Sequence, residues 1–451
     1  MSGLSVALNT ALSGLFAHQQ AIAATSENVA NVNSPNFSRR QADFYTDAIP
    51  GQYAGVTVEI ARAGADRFLQ TAGFDSASGA ASASVVAEAL ARVESSLGAP
   101  GDNLSFADKL NEAFAAFAEL SATPSSIAAR AVAVAALDDA FGAFSRTLGA
   151  IDSETLAVDA RLQAQADRAN ELLQDIYRLN QIVTASNGAG DEIDGRLKEL
   201  AGLVDISVSR ADDGRVTVSL ADGRLLANAG GYAAFGVTVG TEATVSLSAV
   251  APESGALTLV STDINAAIAG GEIGGLLALR NTELPALRQI VDDAAGGVAA
   301  ELNAVYAGNA AVGATAPATT PLIVETNGAY SVNQAILDDP SLLAVARPAS
   351  GVGGANDGVG AGAIAGLGAT QAAQNVSTAV TQIGAAVEIA SGRSATAAAF
   401  ASEIETRILS DRGVNLDEEL SNLIQFQRTY NANARVIAAI DELYQSLLNI
   451  L

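Results

Sequence analysis

The sequence contains no cysteine and no tryptophan, and His18 is its only histidine. Without cysteine the chain can form no disulfide, no thiolate nucleophile and no sulfur-ligated metal site. A single histidine also removes the imidazole that a serine nucleophile or a histidine-rich metal site requires. We therefore expect His18 to be a packed or surface side chain, and we expect no catalytic residue, no metal site and no cofactor.

Positive charge is scarce, since the formal net charge is −25 and Lys109 and Lys198 are the only lysines. A polyanion repels phosphate backbones and anionic lipid head groups, so we expect no nucleic acid partner and no binding to membrane surfaces. An excess of carboxylates that merely keeps an abundant protein soluble would produce the same charge.

Long apolar runs are also missing. No segment reaches the roughly 18 uncharged apolar residues of a transmembrane helix, so we expect no membrane insertion. The N-terminal residues, MSGLSVALNTALSGLFAHQQ, lack the basic start and the continuous apolar core of a cleaved secretory signal. If the protein is exported, it uses another route.

Adjacent carboxylates occur in several pairs, which are Asp138–Asp139, Asp212–Asp213, Asp292–Asp293, Asp338–Asp339 and Glu418–Glu419. A glycosidase needs two carboxylates that converge across a cleft, whereas neighbouring residues on a helix point about 100° apart. A secreted hydrolase of cell-wall glycans is therefore a weak alternative. The cluster of Asp191, Glu192 and Asp194 could at most bind calcium weakly, because it lacks the spacing of a calcium-binding loop.

The residues that the sequence does have in abundance favour helices. Hydrophobic residues make up 49% of the 451 residues and aromatic residues only 5%, and alanine is frequent. Such a composition favours close-packed helices over a large aromatic-rich sandwich. The length predicts more than one domain, and we predict a mainly α fold.

Both ends of the chain carry apolar stripes with helical spacing, and the N-terminal segment up to residue 42 has few charged side chains. The N-terminal stripe consists of Leu4, Leu8, Leu12, Leu15, Ile22 and Val29. The C-terminal stripe follows two interleaved seven-residue series and includes Leu423, Phe426, Tyr430, Ile437, Ile440, Tyr444, Leu447 and Leu451. We predict two terminal helices that form a coiled-coil-like axial domain and pack subunits together through these residues. Asn415 and Glu418 are predicted to cap the second helix, after Gly413 ends the preceding one.

The middle of the chain combines a long helix with a β insertion. A seven-residue apolar repeat from Val134 to Val183 predicts a rod of about 50 residues, although the pattern leaves open whether the helix breaks near Gly149. Shorter stripes from both halves predict an elongated helical bundle built from discontinuous segments. Between residues 204 and 262 the apolar period changes to two and turns carry Asp-Gly pairs, which predicts a small inserted antiparallel β domain.

These patterns assign each part of the chain to a predicted region. The axial terminal-helix domain comprises residues 1–60 and 410–451, and the bundle comprises 61–203, 263–310 and 365–409. The β domain comprises 204–262. Residues 311–364 are rich in alanine, threonine and glycine and are predicted as a loop-rich insertion with one short helix after Pro340.

A short motif follows the first predicted helix. Residues 28–37 read NVANVNSPNF and are followed by Ser38, Arg39 and Arg40. Asparagine tolerates left-handed conformations and proline stops a helix, so this run is a sound helix exit. It resembles the signature of axial flagellar proteins, a family of rod, hook and hook-filament junction subunits. The motif residues are Asn28, Asn31, Asn33, Asn36, Phe37 and Arg39.

The resemblance to this family extends along the chain. Residues 413–437, GVNLDEELSNLIQFQRTYNANARVI, resemble its C-terminal signature, and residues 168–182 and 274–308 are similar to its junction members. Longer members carry an additional outer β domain where this sequence has only residues 311–364. The resemblance implies terminal helices in an inner tube, a helical bundle around them and the β insertion outside.

The same resemblance implies a structural subunit that joins the hook to the filament and is not an enzyme. The implied partners are copies of itself in a ring or tubular homo-oligomer, the hook protein, the second junction protein, the filament and a flagellar export chaperone. The implied location is extracellular, after type III export without a cleaved signal. A hook or rod subunit has the same ends and stays an alternative, as does a secreted coiled-coil adhesin, which would not require the asparagine-rich motif.

Overall fold

The computed structural model describes residues 2–34, 37–49, 52–62, 67–98, 102–184, 188–348 and 356–448. The helices are α1 (Ser2–Ala30), α2 (Arg67–Glu94), α3 (Phe106–Ala122), α4 (Ile127–Ile182), α5 (Ala189–Leu203), α6 (Gly271–Ala278), α7 (Leu284–Ala307), α8 (Gln334–Asp338), α9 (Val359–Gly366), α10 (Gln371–Arg412) and α11 (Leu416–Leu448). The strands are β1 (Arg40–Ile49), β2 (Gln52–Arg62), β3 (Ile206–Arg210), β4 (Val216–Leu220), β5 (Leu225–Asn228), β6 (Gly231–Val239), β7 (Ala243–Val250), β8 (Leu257–Ser261), β9 (Ala310–Ala311), β10 (Ile323–Thr326), β11 (Ala329–Val332) and β12 (Ala344–Ala346). The predicted fold class, mainly α with an inserted antiparallel sheet, is confirmed.

Helix α4 is the spine of the molecule. It contains 56 residues and passes Gly149 without a break, which corresponds to a length of roughly 84 Å. The Ser126 hydroxyl caps its start by accepting from the amide of Ala129 at 3.2 Å. The predicted apolar repeat lies on its buried side, where Leu137, Phe144 and Ile151 are almost fully covered.

The bundle around α4 combines helices from both halves of the chain. Helix α3 packs on α4, and α10 runs along α2. The ring of Phe106 in α3 stacks on Phe144 in α4, with centroids 4.5 Å apart. Helices α6 and α7, joined by a π-helical turn at Leu279–Glu283, complete one continuous hydrophobic core. No segment covers its own apolar stripe, which explains why the bundle is built from distant pieces.

The inserted sheet is an antiparallel meander of strands β3 to β8 in sequential order. The glycines of its first two turns, Gly214 and Gly223, both have φ of +87°, a conformation that favours glycine. The sheet is joined to α4 by side-chain amides: Asn180 donates to the carbonyl of Val216 at 2.8 Å and accepts from its amide at 2.9 Å. The spine therefore holds the sheet directly.

Residues 311–364 contain more regular structure than the sequence predicts. Strands β10 and β11 form a hairpin, and β9 pairs with β12. The segment has two short helices where the sequence predicts one: α8 ends before Pro340, and α9 begins at Val359, well after it. A 3-10 turn begins at Pro340 itself. Buried apolar side chains such as Leu322, Leu343 and Val345 join this segment to the core, which composition alone does not reveal. Residues 349–355 lie outside the described residues.

Candidate assembly surface

The two terminal helices, α1 and α11, pack on each other. Gly14 lies beside Asn433, and Asn28 lies beside Glu419, so the helices run antiparallel. The seam of α1 consists of small buried residues spaced three or four apart, which are Ala11, Gly14, Ala17, Ala21, Ala24 and Asn28. A β-carbon on Gly14 would lie 2.8 Å from the Asn433 amide nitrogen. Close approach of the backbones at small residues such as Gly14 therefore helps to join this pair.

The large apolar residues predicted to pack subunits lie mostly beside this seam. On α1 the half-buried members are Leu4, Leu8, Leu12, Leu15, Ile22 and Val29. On α11 Ile440 is buried, and the half-buried members are Leu423, Phe426, Tyr430, Ile437 and Tyr444. Leu451 and the side chain of Leu447 lie outside the described residues. The structure thus brings the predicted residues onto one helix pair but leaves much of their apolar surface uncovered.

Other large apolar side chains of the pair are more exposed still. On α1, Phe16 is 58% exposed, and on α11, Ile424 and Leu443 are 50% and 55% exposed. Exposed apolar residues that follow a helix at this density mark an interaction surface more often than a free one.

The hairpin of β1 and β2, which sequence analysis does not predict, lies against α1. The amide of Val56 donates to the Ser13 hydroxyl at 3.1 Å. His18 of α1 contacts the ring of Phe44 in β1 at 5.1 Å, and Phe44 contacts Phe426 of α11 at 5.8 Å. Burial lowers the pKa of His18. This histidine is a packing residue that joins the hairpin to both helices, and we call α1, β1, β2 and α11 together the axial unit.

Residues of the motif join the C-terminal end of α1 to the N-terminal end of α11, and we call Asn28, Arg39 and Glu419 together the clasp. Asn28 donates to the carbonyl of Arg40 at 2.8 Å and to Glu419 Oε2 at 2.9 Å, and it accepts from the Arg40 amide at 2.7 Å. Arg39 donates to Glu419 Oε1 at 2.6 Å and to Glu418 Oε1 at 2.8 Å. Burial lowers the pKa of Arg39, but hydrogen bonds and charge from both glutamates outweigh it and raise the pKa.

The remaining motif residues have local roles or lie elsewhere. Asn31 donates to the carbonyl of Glu27 at 3.0 Å, and Phe37 lies 5.2 Å below the Arg40 guanidinium. Asn33 is exposed, and Asn36 lies outside the described residues.

The predicted cap of α11 forms only in part. Asn415 accepts from the amide of Asp417 at 3.1 Å. Glu418, however, bonds to Arg39 and does not close a capping box. Glu419, which sequence analysis considers only as one of a pair of adjacent carboxylates, is buried and bonded to both Asn28 and Arg39.

The sequence profile of the "Flagellar hook-associated protein FlgK helical domain" matches residues 90–316, half of the chain. The chain belongs to the FlgK family of flagellar hook-associated proteins. Two further profiles match its ends, "Flagella basal body rod protein" at residues 8–37 and "Flagellar basal body rod FlgEFG protein C-terminal" at residues 407–450. The FlgK match covers α4 and the inserted sheet, which disfavours the hook or rod subunit alternative.

Among solved structures, the chain is similar to the flagellar hook junction protein FlgK from Burkholderia pseudomallei. The TM-score is 0.64 at 14% identity, over 76% of this chain and 100% of that chain. No curated protein matches the sequence. As an FlgK family member, the chain is a structural subunit of the bacterial flagellum at the hook-filament junction, and it assembles with other axial components. No helix among the described residues is long and apolar enough to span a membrane.

In this FlgK family chain, sequence reasoning missed the small-residue seam and the contacts that Glu419 makes with Asn28 and Arg39. A signal for the seam was present, since alanine, glycine and asparagine recur every three or four residues from Ala11 to Asn28. No local signal marks Glu419, because its partner Arg39 is 380 residues away.

Proposed function

We propose that the chain joins the hook to the filament by assembling into a ring or tube through the outer faces of α1 and α11. The observation that carries this proposal is that small and large residues of these helices have different positions. Small residues form the seam within the chain, while large apolar residues such as Leu8, Phe16 and Ile437 keep surface for other partners. A tube of such pairs would cover that surface by contact between neighbouring copies.

Burial of apolar surface would drive this assembly. Covering an exposed leucine or phenylalanine side chain completely contributes about 1.5–3 kcal/mol. An isolated helix pair cannot cover both of its faces. We therefore propose that α1 and α11 are poorly ordered in the monomer and fold on incorporation.

The proposed partners follow from the position of the family in the flagellum. We propose further copies of the chain, the hook protein on one side, and the second junction protein with the filament on the other. We also propose that a flagellar export chaperone binds the chain before type III export, which would proceed without cleavage. The role is proposed to be structural and not enzymatic, since the contacts above serve packing.

Aspartate substitutions on the outer faces test the mechanism. Leu8→Asp and Ile437→Asp should block polymerisation of the purified chain, because each places a charge on a surface that assembly buries. The central bundle should stay folded, as measured by hydrogen exchange in α4.

Leu156→Asp is the matched control, because Leu156 is an exposed leucine of α4 outside the axial unit. It should polymerise normally. Polymerisation of Leu8→Asp and Ile437→Asp at the normal rate would contradict the proposal, and unfolding of α4 in either would contradict the separation of axial unit and bundle.

A further inference from the structure

The axial unit has little direct attachment to the bundle. Within the described residues, its helices and strands pack chiefly on one another, and none of them packs extensively on a helix or strand of the bundle. A cavity of about 540 Å³ lies at the joint, between Val32 and Phe37 after α1, Phe74 of α2, and Ile408 and Leu409 of α10. Apolar packing at the joint is therefore incomplete, and another contact must fix the position of the axial unit.

The base of the β1–β2 hairpin supplies a charged contact with the bundle. Arg40 begins β1, Arg62 ends β2, and the two are register partners. Arg40 Nη2 donates to Asp191 Oδ2 at 2.6 Å, and Arg62 Nη2 donates to Asp191 Oδ1 at 2.6 Å. One carboxylate on α5 therefore holds both strands of the hairpin.

A second carboxylate extends this contact to the β domain. Asp194 lies three residues after Asp191, on the same face of α5. It accepts from Arg62 Nη2 at 2.9 Å and also from Arg210, the last residue of β3. Two of the three carboxylates that could at most have bound calcium weakly, Asp191 and Asp194, thus pair with arginines.

We call the ion-paired side chains of Asp191, Asp194, Arg40, Arg62 and Arg210 the node, and their burial shows that they are part of the fold. The side chains of Arg40, Asp194 and Asp191 are 3%, 9% and 15% exposed. Gly190 precedes Asp191, and a β-carbon there would collide with Arg62 Nη1. Ion pairs withdrawn from solvent are screened less by salt than exposed ones, and removing one partner leaves the other charge buried and uncompensated.

We propose that Asp191 and Asp194 are positioning residues that anchor the β1–β2 hairpin, and through it the axial helix pair, on the bundle. This rests on the proposed function, in which α1 and α11 order only on incorporation. The hairpin base is then already held in the free chain and presents the surface on which α1 folds. The clasp of Asn28, Arg39 and Glu419 closes afterwards, when α11 is in place.

Hydrogen exchange on the full-length soluble chain tests the anchor. In the unmodified chain, the amides of the hairpin base next to Arg40 and Arg62 should be protected while those of α1 and α11 exchange quickly. In the double variant Asp191→Asn, Asp194→Asn, protection of the hairpin base should fall at least about tenfold, with α4 unchanged. Gly190→Ala, whose β-carbon would displace the end of the Arg62 side chain, should lower this protection in the same direction but less, with both carboxylates retained.

The matched control is Asp159→Asn. Asp159 is also 15% exposed and pairs with Arg280 at 2.7 Å, but it lies in the bundle. This variant should leave the hairpin base protected. Unchanged hairpin protection in both node variants, or an unprotected hairpin in the unmodified chain, would overturn the anchor. These outcomes do not depend on polymerisation, so the anchor can fail while assembly through α1 and α11 stands, and the reverse.

Discussion

Asparagine side chains join helices to strands in a repeated pattern at the scale of single residues. Asn28 in α1 and Asn180 in α4 each accept from the backbone amide of a strand residue and donate to the carbonyl of that same residue, Arg40 and Val216 respectively. Asn170 in α4 does the same with Phe235 in β6. The side-chain amide thus replaces a neighbouring strand, and it satisfies backbone groups that would otherwise be buried without partners.

Removing one of these amides should destabilise the protein by a predictable amount. Asn180→Ala leaves the amide and carbonyl of Val216 without their side-chain partner at a fully buried position, which should lower the free energy of unfolding by about 2–4 kcal/mol. Urea unfolding followed by circular dichroism measures the change. Gln163→Ala, which removes an exposed bond to Asp167 on the same helix, should change it by less than about 0.5 kcal/mol. Equal effects of the two substitutions would show that the Asn180 bonds contribute no more to the free energy of unfolding than an exposed bond does.

At the scale of helices and strands, elements with a local periodic signal could be predicted from the sequence. The seven-residue repeat of α4 predicts a rod, although not whether it is continuous at Gly149. The period-two runs predict the inserted sheet. Both patterns record burial on one side of an element. The β1–β2 hairpin is not predicted, because it is stabilised by contacts with α1 and with Asp191 of α5, and no pattern within the hairpin sequence records those contacts. The terminal stripes predict two helices that pack together through large apolar residues, whereas small residues form the seam on α1.

The seam between α1 and α11 requires a small residue at position 14, and this requirement can be tested. Gly14→Leu should prevent the two helices from approaching, because even a β-carbon at this position would lie 2.8 Å from the Asn433 side chain. Overpacking of this kind costs about 1–3 kcal/mol. We expect far fewer filaments per cell when the variant replaces the native chain, counted by electron microscopy.

Gly3→Leu is the control for this substitution, since nothing lies within 4 Å of a β-carbon on Gly3. It should leave filament numbers close to normal. Normal filaments with Gly14→Leu would show that close approach at this seam is not required for assembly.

At the scale of the whole molecule, the ends of the chain meet through side chains that no local pattern connects. Arg39 and Glu419 are 380 residues apart and joined at 2.6 Å. The family motif could be recognised in the sequence, but the partners that Asn28 and Arg39 hold could not, because they depend on how the chain folds back. The apolar residues expected to pack subunits stay predictions, since the contacts that would test them lie between chains.

The most direct test of the account is deletion of the gene in its native host, with electron microscopy of the cells and an assay of the medium for monomeric flagellin. A subunit that joins hook and filament should, when absent, leave intact hooks without filaments and flagellin lost to the medium. Missing hooks would instead place the chain in the hook or rod, and normal filaments would contradict its role at the junction.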